Sequence, residues 1–121
     1  MPSRKIVAVL SDLMFTVKIQ EAAKRVGLEP IFVKTAEDVL HKAREKPAVI
    51  IFDLNAANIE PLDIIEKLKA DSDTNKINLV GYVSHVQADL KLAAQQKGCD
   101  MVIARSAFSH NLPALLKRYA G

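Results

Sequence analysis

The sequence predicts an α/β fold with a five-stranded parallel sheet, and two patterns support this prediction. Five short apolar runs alternate with five segments in which apolar residues recur every three or four positions. Alternating strands and amphipathic helices form a parallel sheet that helices cover on both faces. The third run, from Ala48 to Phe52, is wholly apolar and has β-branched residues at its centre. Such a run is typical of a strand buried on both faces in the middle of a sheet.

Apolar runs, caps and breaking residues place the individual elements. The strands are predicted at residues 6–10, at 30–33, in the central run after Pro47, at 77–83 and at 101–104. The first helix is predicted to bury Phe15, Ile19, Ala22, Ala23 and Val26 and to end at Gly27. The second is predicted to follow an N-cap at Thr35 and to bury Ala36, Val39, Leu40 and Ala43.

The last three helices are predicted from similar signals. The third begins at Pro61 and buries Leu62, Ile65 and Leu68, and the fourth runs from about Val86 to Lys97 and is ended by Gly98. The fifth has an apolar stripe of Leu112, Leu115, Leu116 and Tyr119, with Asn111 as its N-cap and Pro113 in its first turn.

A chain of 121 residues fits one domain, and we expect residues 1–121 to form it without a linker or repeat. No apolar run approaches the ~18 residues of a membrane span, and the first residues lack a signal-peptide pattern. We therefore expect no membrane contact and a cytoplasmic location. The single cysteine, Cys99, excludes an internal disulfide. The net charge of +3 comes from scattered residues, which argues against nucleic-acid binding.

Asp53 is the first candidate for a functional residue because it stands at the carboxyl end of the predicted central strand. In open α/β sheets, ligands bind at the carboxyl ends of the strands. Aspartate is also common in turns, so its position alone leaves both roles open.

Two segments resemble those of response regulator receiver domains, a family of flavodoxin-like (βα)5 modules. Residues 53–62, DLNAANIEPL, resemble the family's D-x-N-M-P-x-M-D-G-L segment, and residues 98–100, GCD, resemble the G-A-D before strand five. The resemblance covers essentially the whole chain and implies the strand order 2-1-3-4-5, with helices one and five on one face. It also implies that Asp53 occupies the phosphoacceptor position and that the Asn55 carbonyl helps to hold Mg²⁺.

Several positions depart from the family pattern. The replacements are Leu10 and Ser11 for two adjacent acids, Val83 for the switch hydroxyl, Val102 for the aromatic switch residue, Arg105 for the lysine and Ser106 for the proline. Asp12 and Ser84 each follow one position after a replaced residue.

These departures predict weak Mg²⁺ binding or none. Mg²⁺ prefers an octahedron of oxygen ligands that includes carboxylates, and its charge offsets the anions that phosphoryl transfer brings together. Without the acid pair, Asp12, Asp53 and Asn55 are only weak candidates for metal ligands, and we expect no cofactor. A one-residue shift of the loop that brings Asp12 into the site stays open as an alternative.

Arg105 is expected to form a two-pronged ion pair with Asp53, because the guanidinium is a planar fork that matches a carboxylate. Such a pair would lower the pKa of Asp53. An Arg105 side chain that points to solvent is the alternative.

No catalysis by this chain is expected. Ser11, Ser84, Ser106 and His85 can be drawn as a hydrolase-like group around Asp53, but no nucleophile-elbow motif supports it. The histidines lack the spacing of a zinc site. The residues after the first strand also lack the glycine- and hydroxyl-rich loop that a flavin phosphate requires.

The sequence is therefore interpreted as a stand-alone receiver-like module of two-component signalling that works through phosphorylation-independent protein contacts. A genuine Mg²⁺-dependent phosphoacceptor with a rearranged site is the alternative, and a domain that binds a small molecule is a third interpretation. The expected partner is a sensor kinase, an effector or a scaffold protein. Its expected contact is the face formed by helix four, strand five and helix five, at Lys91, Gln95, Val102, Lys117 and Arg118.

Overall fold

The computed structural model describes residues 4–56, 59–84 and 87–120. Its strands are β1 (Lys5–Val9), β2 (Glu29–Val33), β3 (Val49–Asp53), β4 (Asn78–Val83) and β5 (Met101–Ala104). Its helices are α1 (Leu13–Arg25), α2 (Ala36–Ala43), α3 (Pro61–Ala70), α4 (Ala88–Lys97) and α5 (Arg105–Lys117). The strands pair in parallel in the order β2-β1-β3-β4-β5. The predicted fold class and strand order are confirmed.

The sheet has a core on each face because its strands are apolar on both sides. Helices α1 and α5 pack on one face, where Phe15, Ile19, Phe108 and Leu116 meet alternate residues of the strands. Helices α2, α3 and α4 cover the other face. The predicted placement of the first and fifth helices on one face is confirmed.

Local signals end and begin most helices as predicted. The Thr35 side chain accepts the Asp38 N–H at 3.1 Å at the start of α2, and Pro61 stands in the first turn of α3. Gly98 closes α4 in the left-handed conformation with φ of 113°, and Gly27 follows α1 with φ of 77°. These conformations are costly for residues with a Cβ.

The predicted start of the fifth helix is wrong. Helix α5 begins at Arg105, directly after β5, with Ala104 as its N-cap. Asn111 lies inside the helix, where its Nδ2 donates to the Ala107 carbonyl at 3.1 Å, and Pro113 is an interior proline on the exposed side. The apolar stripe starts one turn before Leu112, at the fully buried Phe108. The polar residues around Phe108 concealed this turn in the sequence.

Two smaller predictions also change. Ala36 is exposed rather than buried, since α2 contacts the core through Val39 and Ala43. Helix α4 begins at Ala88, and the predicted start at Val86 lies outside the described residues. None of the helices in the described ranges is both long and apolar enough to cross a membrane.

Leu54, the residue after Asp53, packs closely over Gly81 of β4. A Cβ built on Gly81 would lie 2.7 Å from Leu54 Cδ1 and 2.9 Å from Leu54 Cγ, and Leu54 is only 4% exposed. Leu54 therefore occupies the space that any larger residue at position 81 would need.

We predict that Gly81→Ala lowers the free energy of unfolding by about 1–3 kcal/mol, the usual cost of overpacking a core. Urea denaturation measures this loss. In a Leu54→Ala background the same substitution should cost clearly less, because the clashing side chain is gone. Equal losses in the two backgrounds would contradict the packing argument.

Candidate functional site

The carboxyl end of the sheet brings Asp53 together with the predicted site residues of three neighbouring segments. Asp53 is the last residue of the central strand β3. Residues 10–12 follow β1, residue 84 follows β4, and Arg105 opens α5 after β5. We call this region the mouth.

The Asp53 side chain is half-buried in the mouth and accepts one hydrogen bond from the described residues. The backbone N–H of Asn55 donates to Asp53 Oδ1 at 2.9 Å, as in the turns that aspartate commonly forms. Burial raises the pKa of the Asp53 carboxyl, with the Asp12 charge acting in the same direction. The hydrogen bond from Asn55 and the Arg105 charge oppose this rise but do not cancel it.

The two residues in the expected acid positions do not face the mouth as a pair. Leu10 is 1% exposed and packs in the core beneath α1 and α5, whereas Ser11 is exposed. An apolar side chain therefore fills the place of one acid, and a neutral hydroxyl stands beside it.

Asp12 uses both oxygens of its carboxylate. Oδ1 accepts the N–H groups of Met14 at 2.9 Å and Phe15 at 3.4 Å and so caps α1. Oδ2 accepts Nη2 of Arg105. Capping by aspartate is favourable because it satisfies free N–H groups and opposes the positive end of the helix dipole.

Arg105 pairs with Asp12, and the predicted Asp53–Arg105 ion pair is wrong. Its guanidinium also lies over the Phe15 ring, 4.4 Å from the centroid. Two partners thus hold Arg105 on the α1 side of the mouth. In the described structure, Arg105 acts on Asp53 only as a nearby charge, and the predicted net lowering of the Asp53 pKa is wrong as well.

Asn55 links the loop after β3 to the loop after β4 through its side chain. Its Oδ1 accepts the Ser84 N–H at 3.1 Å, and its Nδ2 donates to Oε1 of Gln87. The Leu54 N–H adds a backbone bond to the Tyr82 carbonyl at 3.1 Å. Gln87 was not predicted as a site residue, since an isolated glutamine before a helix carries no recognisable pattern.

Val83 and Val102 both face the core rather than the mouth or the surface. Val83 is 4% exposed and Val102 is 6% exposed, and both belong to the core under α2, α3 and α4. Strand β5 places Val102 beside Gly81, where its side chain fills space in the sheet. The prediction that Val102 contributes to a partner surface is wrong.

Tyr82 forms the floor of the mouth and was missed in the sequence. Its ring stacks against both Phe15 and Phe108, with centroids 5.1 Å and 4.6 Å away, and it lies beside Asp53 in the sheet register. The hydroxyl is buried without a hydrogen-bond partner among the described residues. Burial raises the pKa of Tyr82, and the charge of Asp53 adds to the rise. The alternation of side chains along β4 is the signal that could have indicated it.

No three histidine, cysteine, aspartate or glutamate side chains within residues 4–56, 59–84 and 87–120 converge as a possible metal site. His85, which the sequence places near the mouth, lies outside the described residues. Ser106 is exposed in the first turn of α5. The hydrolase-like grouping therefore has no described hydrogen-bonded nucleophile and base.

Because the Tyr82 hydroxyl has no partner among the described residues, we predict that Tyr82→Phe leaves the free energy of unfolding unchanged or raises it by about 1 kcal/mol. A buried hydroxyl without a partner gains nothing from folding and loses its water. Chemical denaturation measures the difference. Thr74→Val provides the contrast, because the buried Thr74 hydroxyl donates to the Leu68 carbonyl at 2.7 Å. A loss for Tyr82→Phe as large as that for Thr74→Val would contradict this reading.

The raised pKa of Asp53 predicts that Asp53→Asn stabilises the fold at neutral pH. A carboxyl whose pKa is higher in the folded state than its usual 3.8 costs stability once it is ionised. Asparagine keeps the acceptor for the Asn55 N–H and has no charge to bury. The increase in the free energy of unfolding should be absent below pH 3.8, where the carboxyl is protonated in both states. It should grow as the pH rises through the folded-state pKa of Asp53. A gain that does not depend on pH would point to packing instead.

Sequence and structure comparisons give different results for this chain. No family model matches the sequence, and no curated protein matches it in sequence. A response regulator from Hahella chejuensis superposes with a TM-score of 0.86 at 15% identity, over 97% of this chain and 95% of that one. The chemotaxis response regulator CheY4 of Vibrio cholerae gives 0.81 at 16% identity, over 98% and 99% of the two chains.

A third similar structure is a receiver domain described with a magnesium ion. This receiver domain of the sensor histidine kinase PA1611 from Pseudomonas aeruginosa has magnesium coordinated in its active-site cleft. It superposes with a TM-score of 0.81 at 15% identity, over 98% of each chain. These similarities extend over nearly the full length of both partners. The chain therefore has the fold of response regulator receiver domains.

Proposed function

We propose that this chain is a receiver-like module of two-component signalling that works in the cytoplasm through constitutive protein contacts. In this proposal Asp53 keeps the phosphoacceptor position, and Mg²⁺-dependent phosphorylation is not the means by which the protein acts. The likeness to solved response regulators supports the signalling class. The geometry of the mouth supports the mode of action.

The main support for the proposal is that both oxygens of the Asp12 carboxylate already have partners. One oxygen caps α1 and the other binds Arg105. Binding Mg²⁺ through Asp12 would require breaking the ion pair or the cap. With Leu10 buried, Asp53 is the remaining carboxylate of the predicted metal candidates. One free carboxylate is a poor donor set for a cation that dehydrates reluctantly.

Fixed contacts around the mouth also support a constitutive mode. A modification shifts a conformational equilibrium only to the extent that it interacts more favourably with one conformation than with the other. Val83 offers no hydroxyl to a group on Asp53, and Val102 is a buried aliphatic residue that has no aromatic ring to swing inward. Arg105 is already held by Asp12 and Phe15. The hydroxyl and the aromatic ring that would respond to a group on Asp53 are therefore missing, and the cation is already bound.

The face of α4, β5 and α5 is the proposed partner surface. Lys91, Gln95, Lys117 and Arg118 are exposed there, and their side chains form no hydrogen bond or ion pair with the residues the structure describes. Leu92 on α4 adds an apolar side chain that is 55% exposed. A cationic face with an apolar anchor suits an acidic protein segment.

Exposure to a small phosphodonor with millimolar Mg²⁺, followed by intact-mass measurement, tests the mode of action. We expect little or no gain of mass, because Asp53 lacks the partners that hold the metal. Wild-type protein and Asp53→Asn should give the same spectrum. Stoichiometric phosphorylation that needs Mg²⁺ and is absent in Asp53→Asn would establish the phosphoacceptor alternative.

Charge reversal tests the partner surface. Lys91→Glu combined with Lys117→Glu should abolish capture of the signalling partner in a pull-down, while circular dichroism shows an intact fold. Lys24→Glu combined with Lys34→Glu is the matched control, because both lysines are exposed on other elements. Asp53→Ala should leave capture unchanged. Capture that depends on Asp53 and not on Lys91 and Lys117 would contradict both the proposed partner surface and the constitutive mode of action.

A further inference from the structure

A cleft of about 450 Å³ opens at the end of the sheet opposite the mouth. It lies before the amino ends of β3 and β4, between the segment 46–48 and the segment 72–78. Its volume is in the range of small-molecule sites. None of the residues assigned to the mouth or to the partner surface lines it.

Two lysines that have no partner among the described residues line this cleft. Lys46 and Lys76 are exposed, and neither side chain forms a hydrogen bond or ion pair with a described residue. Other lysines at this end are paired: Lys42 binds Glu45 at 3.3 Å, and Lys69 binds Asp100 at 3.1 Å. One carboxylate, Asp73, also lines the cleft. The lining therefore carries a net positive charge.

The rest of the lining combines apolar surface with neutral polar groups. Pro47 is buried and Ile77 is 8% exposed, and both line the cleft. Ser72 and Asn78 supply a hydroxyl and an amide. Such a lining matches a ligand with an apolar body and an anionic group, since each part meets its complement.

Lys46 has an unusual backbone conformation, which also suggests a role for its side chain in this cleft. Its φ of 55° makes it the one residue other than glycine with positive φ in the described structure. The left-handed conformation costs a side-chain-bearing residue about 1–2 kcal/mol, and glycine adopts it freely. The chain thus carries an ammonium group at a position where glycine would fit the backbone better.

We propose that this cleft binds a small organic anion, a phosphate or carboxylate attached to an apolar body, through Lys46 and Lys76. The apolar part lies against Pro47 and Ile77, and the anionic part lies between the two ammonium groups. This binding is separate from the events at the mouth, so its failure leaves the proposed function untouched.

Titration of the ¹⁵N-labelled chain by NMR tests the site, with phenyl phosphate as the probe and inorganic phosphate as the anion alone. We expect saturable shifts at the amides of Lys46, Ala48 and Asn78, with a Kd of about 1 mM or below for phenyl phosphate. Inorganic phosphate should bind about tenfold more weakly, because it lacks apolar surface. Added salt should weaken both ligands.

Three variants distinguish a specific site from a general attraction of the anion to surface lysines. Lys46→Gly and Lys76→Gln should each weaken phenyl phosphate binding by about fivefold or more. Lys46→Gly should do so while leaving Tm unchanged or raising it, since the backbone strain is relieved. Lys67→Gln is the control, because Lys67 is an exposed lysine of α3 outside the cleft. Absence of saturable shifts, equal weakening by Lys67→Gln, or phosphate binding as tightly as phenyl phosphate would overturn the proposal.

Discussion

The ion pair between Asp12 and Arg105 is the contact on which the arrangement of the mouth depends. It joins the start of α1 to the start of α5, two helices far apart in sequence. The pair is partly exposed, so its own contribution to stability is modest, about 1 kcal/mol or less. Its larger effect is to occupy the two side chains that could otherwise turn toward Asp53. The Arg105 guanidinium lies over the Phe15 ring, and Phe15 stacks on Tyr82.

This arrangement leaves Asp53 at the carboxyl end of the central strand, near a buried Leu10 and with Arg105 bound to Asp12. The neighbour of Asp53 on β4 is the aromatic residue Tyr82. The Asn55 side chain is used to join two loops. These contacts join the segments around the mouth to one another.

The sequence predicted the elements that depend on local signals and failed where contacts join distant segments. The cap at Thr35 and the ends at Gly27 and Gly98 were correct because backbone geometry at these positions requires particular residue types. The start of α5 was wrong because polar residues around Phe108 resemble a loop. The pairing of Arg105 was wrong because Asp53 and Asp12 both lie within its reach. Only the three-dimensional packing over Phe15 distinguishes between them.

The most direct test is a Mn²⁺ titration of the ¹⁵N-labelled chain, since this paramagnetic ion replaces Mg²⁺ at oxygen sites and broadens nearby amide signals. We expect the amides of Asp53 and Asn55 to show no saturable broadening at low millimolar metal. We also expect Arg105→Gln to increase their broadening, because this variant frees one oxygen of Asp12. Saturable broadening in the wild type that Asp53→Asn abolishes would contradict the proposal that the mouth does not bind Mg²⁺.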